Sequence, residues 1–135
     1  MNIYLDIDGT LIHEDLSEML GKPAAGLEEF IIALRPHTTY WLTTHCREGN
    51  PDRAREIMKR VLPDTLHPDI DRILPTVWDL NKTEVIDWSK DFMWFDNDIG
   101  DYERASFDDA PDTQSFIEID LRASPKQLIE ILSEL

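Results

Sequence analysis

Asp6 and Asp8, two residues apart and followed by Gly9 and Thr10, are the densest chemical signal in this 135-residue chain. They close a short apolar run, residues 1–5. Side chains on a strand alternate with a period of two, so both carboxyl groups point the same way. Gly9 lets the chain turn sharply behind them without a Cβ penalty. Two buried carboxylates side by side are costly unless something positive lies between them. The strand tip therefore predicts a cation site or a site that handles phosphate.

Three more polar points can join it. Thr43 and Thr44 end an aromatic, β-branched segment, Asp96-Asn97-Asp98 ends the apolar run 92–95, and Lys82 lies upstream of that run near a helix start. In a parallel sheet such strand ends share one edge, the edge at which open α/β folds bind ligands. The chemistry these residue types support is phosphoryl transfer. One carboxylate attacks phosphorus and splits a hard hydrolysis into two steps. A second protonates the leaving oxygen and then deprotonates the attacking water. A hydroxyl and an ammonium hold the transferring oxygens, and a divalent ion offsets the remaining charge.

The elements that must position these groups alternate between strand and helix. Strands are expected at residues 2–7, 38–43, 92–95 and 115–119, with a further short one at Ile73-Leu74. Leu27, Phe30, Ile31 and Leu34 have helical spacing, and Pro36 ends that helix. Asn50-Pro51 opens a second helix with Asn as cap, running to about residue 62 with Ala54, Ile57, Met58, Val61 and Leu62 as its apolar stripe. Asn81 caps a brief helix through Ile86, and Ser124-Pro125 opens a closing helix with Leu128, Ile129, Ile131 and Leu132 inward. This order predicts an α/β, three-layer Rossmann-like fold, a central parallel sheet flanked by helices and joined by right-handed crossovers. With no linker or repeat, residues 1–135 are expected to form a single domain.

Composition narrows the partners. The net charge of −15, from 28 acidic and 13 basic residues, opposes sequence-independent binding to nucleic acid and repels anionic membranes. A phosphorylated substrate is repelled as well unless a metal and a lysine reverse the local field. The single Cys46 suits a reducing compartment, no stretch has membrane-spanning length and no basic, apolar leader opens the sequence, so the expectation is a cytoplasmic protein.

The run Asp6-Ile7-Asp8-Gly9-Thr10-Leu11 matches the first motif of the haloacid dehalogenase superfamily, and the chain resembles that superfamily over nearly its full length. The resemblance implies that Asp6 is the nucleophile and that Asp8 is the general acid/base, which also ligates metal through its backbone carbonyl. Trp41-Leu42-Thr43-Thr44 resembles the second motif, Lys82 stands where the third motif's lysine is expected, and Phe92-Met93-Trp94-Phe95-Asp96 resembles the fourth. Thr43, Thr44, Lys82 and Gly9 are then assigned to the phosphate, and Asp6, Asp8 and Asp96 to the metal. Asn97 stands where a second acidic residue of the fourth motif often lies, so Asn97 and Asp101 are assigned to an outer shell. Short gaps between motifs leave no room for a folded cap domain. A capless site suits a large, macromolecular or partner-presented phosphorylated substrate.

Electrostatics names the ion. Two unit charges at ~4 Å interact by about 4 kcal/mol at an effective dielectric near 20. Asp6, Asp8 and Asp96 facing a phosphate dianion need a counter-charge, and magnesium, hard and oxygen-seeking, fits. The expected activity is a magnesium-dependent phosphatase acting through an aspartyl phosphate on Asp6. The alternative is a domain of the same fold serving as a binding or regulatory module with little turnover. A Cys46–His45 nucleophile is rejected, because adjacent side chains diverge and no third group orients them. The four Trp residues are read as packing residues.

Overall fold

The structure, a computed structural model, describes residues 1–135. Its centre is a four-stranded, all-parallel sheet in the order β2-β1-β3-β4. The strands are β1 (Asn2–Leu5), β2 (Thr38–Trp41), β3 (Phe92–Asp96) and β4 (Gln114–Glu118). The helices are α1 (Leu27–Ala33), α2 (Asp52–Val61), α3 (His67–Asp71), α4 (Asp101–Ala105) and α5 (Gln127–Glu130). The chain moves from β1 to one side, then returns across β1 to build β3 and β4 on the other. The strand order therefore reverses between β1 and β3, which makes their carboxyl ends the switch point of the sheet.

Alternation along the buried strands sorts the core onto two faces. Ile3, Leu5, Met93 and Phe95 join Phe30 and Ile31 of α1, Ala54 and Met58 of α2, Ile70 of α3 and Leu128 of α5 in the larger cluster. Tyr4, Phe92 and Trp94 turn to the other face, where Ile86 and Ile99 are buried and Trp78, Trp88, Phe107 and Phe116 pack around them. Both faces of β1 and β3 are covered, which explains the apolar runs Ile3–Leu5 and Phe92–Phe95. No helix is long and apolar enough to cross a membrane.

Several boundaries differ from the sequence-based expectation. Ile73-Leu74 forms no strand. Leu74 makes a single parallel bridge to Tyr40, donating to Thr39 O at 2.9 Å and accepting from Trp41 N at 2.8 Å. Pro75 follows immediately and has no amide hydrogen with which to extend that ladder. The second helix begins one residue late, at Asp52, yet Asn50 Oδ1 still accepts from the Asp52 amide at 2.9 Å. The closing helix starts at Gln127, with Lys126 and not Ser124 at its cap position, and Ile129 is turned outward at 46% exposure. A four-residue helix cannot bury adjacent residues on one face, and Leu128 takes the inward place.

Candidate active site

Register places the acidic groups. Leu5 pairs with Phe95, so Asp6 and Asp96 leave neighbouring strands side by side, and the Asp6 amide donates to Phe95 O at 3.0 Å. Leu5 also pairs with Trp41, and the Leu42 amide donates to Leu5 O at 2.7 Å, which brings Thr43 to the same edge. Behind Asp8, Gly9 adopts φ +75 and its amide donates to Ile12 O at 2.8 Å. That bond commits the Gly9 amide to the turn. The Asp8 amide, one residue earlier, donates to no protein group, and neither does the Thr44 amide. Two main-chain donors are therefore free at this edge.

Lys82 reaches the acidic pair from a short 3-10 helix, Lys82–Val85, opened by Asn81 and closed into a capping box by Glu84. Its ammonium lies 2.6 Å from Asp96 Oδ2 and 3.4 Å from Asp6 Oδ1. Glu103, in the first turn of α4, fixes this turn by accepting from the Lys82 amide at 2.9 Å and the Gly100 amide at 3.3 Å. Thr10 Oγ1 donates to Asp6 Oδ2 at 3.4 Å, and the Asp98 amide donates to Asp96 Oδ1 at 3.2 Å. Burial, with the Asp96 charge second, raises the Asp6 carboxyl from its ordinary 3.8 to about 7, against the lowering influence of Lys82. Burial also pulls the Lys82 ammonium down, but Asp6 and Asp96 together push it above its usual range. One ammonium between two buried carboxylates leaves the centre short of positive charge.

The other residues singled out from sequence are distributed unevenly. Thr43 is fully buried, and its hydroxyl only accepts, from the His45 amide at 3.4 Å, so its own hydrogen has no acceptor. Thr44 is exposed at the start of a 3-10 turn, Thr44–Cys46. The Asp8 carboxyl turns away from the Asp6–Asp96 pair in its bonding, and its partner is His45, with Nε2 2.7 Å from Asp8 Oδ2. Asn97 Nδ2 donates to Glu14 Oε1 at 2.7 Å and so links the turn after β3 to the turn after β1. Asp101 is an exposed first residue of α4 and makes no bond to the site. Sequence reasoning missed Glu103, although a glutamate at the third position of a helix is a readable capping signal. It also missed the His45 contact.

Asp6 and Asp96 supply two carboxylates to any cation here, and the Asp8 carbonyl accepts no hydrogen bond from the protein. No cluster of three or more His, Cys, Asp or Glu side chains surrounds the point. This donor set suits magnesium, which keeps several waters and typically takes one or two carboxylates plus substrate phosphate. Two hollows of about 470 Å³ adjoin the edge, one beside Gly9, His13 and Arg122, the other beside Thr44, His45 and Arg53. Comparison with models of protein families, with curated proteins and with solved structures returns no significant match for this chain.

Proposed function

We propose that the chain is a magnesium-dependent phosphatase of the haloacid dehalogenase type, hydrolysing phosphate monoesters through an aspartyl phosphate. The observation that carries this reading is the convergence of Asp6 and Asp96 on the Lys82 ammonium at the switch point of the sheet. In the first step an Asp6 oxygen bonds to phosphorus while the ester P–O bond breaks, and Asp8 gives its proton to the departing alcohol oxygen. In the second, water attacks the phosphorus and loses a proton to Asp8, and the Asp6–phosphorus bond breaks to release inorganic phosphate. Lys82, the free amides of Asp8 and Thr44 and the Thr43 hydroxyl hold the transferring oxygens. Asp6, Asp96 and the Asp8 carbonyl would hold the magnesium ion, which supplies the positive charge that a phosphate dianion needs beside two carboxylates.

A capless, open site is part of the proposal. What supports it is that α1, α2 and α3, the helices between the site-bearing strands, all pack into the larger core. Such a site favours a large or partner-presented phosphorylated substrate. The test is hydrolysis of p-nitrophenyl phosphate with magnesium, with EDTA, and by Asp6→Asn. Turnover that needs magnesium and vanishes in Asp6→Asn supports the enzyme; metal-bound protein without turnover points to a binding module instead.

A further inference from the structure

The proposed chemistry leaves one contact at the site unused, the 2.7 Å approach of His45 Nε2 to Asp8 Oδ2. We propose that His45 is a positioning residue that holds the Asp8 carboxyl where it can protonate an ester oxygen, and that the enzyme is thereby built for phosphate esters of unactivated alcohols. This rests on the phosphatase reading above.

Asp8 needs such a partner. Its side chain is 46% exposed, and His45 is the single protein group hydrogen-bonded to its carboxyl. A carboxyl group without that contact samples several rotamers and a broad terminal torsion. The local fold aims the imidazole. Thr43 is extended at φ −139, ψ 154 and accepts the His45 amide on its hydroxyl, while the Cys46 amide donates to Thr43 O at 3.0 Å. The resulting 3-10 turn buries Cys46 in the larger core and sends His45 to the opposite side, toward Asp8. The divergence of neighbouring side chains that rules out a Cys–His nucleophile is what frees His45 for this contact.

With its hydrogen on Nε2, the imidazole donates to Oδ2, and Oδ1 is left with no protein partner. As Asp8 passes its proton to the leaving oxygen, the carboxyl becomes a carboxylate, and a hydrogen bond to a charged acceptor is shorter and stronger. The contact therefore favours the transition state over the ground state. An alkoxide cannot depart without that proton, whereas p-nitrophenolate departs largely unaided.

The experiment compares kcat/KM, which reports the steps up to alcohol release, for β-glycerophosphate and p-nitrophenyl phosphate at saturating magnesium. His45→Ala is expected to lose roughly 10–100-fold on the alkyl ester and less than about fivefold on the aryl ester. His45→Gln, which keeps a donor at similar reach, should recover most of the loss, and both variants should melt as cooperatively as the parent. Equal losses on both esters, or no loss on either, overturn the inference while leaving the phosphatase reading intact. A parent protein with no magnesium-dependent turnover, or an Asp6→Asn variant that retains it, overturns the phosphatase reading and this inference with it.

Discussion

Replacing Lys82 with methionine removes the one ammonium between two buried carboxylates and leaves the stem's volume in place. Asp96, Asp6 and Lys82 side chains are 2%, 10% and 15% exposed, so solvent screens them weakly. At an effective dielectric near 20, charges separated by 2.6 and 3.4 Å attract by about 6 and about 5 kcal/mol before desolvation. Desolvation offsets much of that, and breaking a buried pair by removing one partner costs about 3–5 kcal/mol. For a chain of this length the cost corresponds to a fall in Tm of roughly 10–20 °C. The assay is urea and thermal unfolding in EDTA at pH 7.5 and pH 5. The Asp6 carboxyl already sits near 7, above its unfolded value of 3.8. Its contribution to stability is therefore complete below pH ~4 and is lost as pH rises through about 7. Without Lys82 the Asp6 carboxyl loses a lowering influence and holds its proton still more tightly, so Lys82→Met should lose most at pH 7.5 and less at pH 5. Added magnesium should restore part of the loss by binding the folded state alone. A loss under about 1 kcal/mol at pH 7.5, with no relief at pH 5, would refute the reasoning.

Other perturbations are expected to act locally. Gly9→Ala places a Cβ 2.5 Å from Asn97 Nδ2 and 2.7 Å from Glu14 Oε1 at φ +75, and should cost about 2–3 kcal/mol in urea unfolding while opening the Asn97–Glu14 link. Asp69, buried where α3 meets α1, accepts from Arg35 at 2.8 and 3.1 Å and from Arg72 at 2.7 Å. The Arg35 hydrogen bonds hold its carboxyl below the usual 3.8, so its stabilisation is present above about pH 4 and lost as pH falls further. Asp69→Asn should cost about 1.5–3 kcal/mol at pH 7, and the gap from the parent should close in acid. An unchanged gap at pH 2.5 would remove ionisation from that account.

The parts of the fold legible in the sequence are those governed by local pattern. The runs 3–5 and 92–95 are apolar throughout because both faces of β1 and β3 are covered, and each is followed by an aspartate at the carboxyl edge of the sheet. The pairing of Leu5 with Phe95 joins residues about ninety positions apart, and no local signal in either segment specifies it. The direction of His45 was equally hidden, since it depends on a 3-10 turn anchored by the buried Cys46 and by the Thr43 hydroxyl. Asp101, assigned to an outer shell, is the first residue of a helix whose third residue, Glu103, is the one that turns inward to the Lys82 amide. Near strand 114–118 the partly exposed Gln114 and Ser115 blur the boundary, because β4 is an edge strand with only one neighbour.

The covalent phosphoryl intermediate proposed for Asp6, the residue that follows β1, can be read on the residue itself. A reaction with p-nitrophenyl phosphate and magnesium, quenched in milliseconds and reduced with borohydride, converts an acyl phosphate to an alcohol that peptide mass spectrometry locates. Homoserine is expected at position 6 and at neither position 8 nor position 96. Phosphate recovered on His45, or product formed at full rate with no modified Asp6 at any quench time, would contradict it.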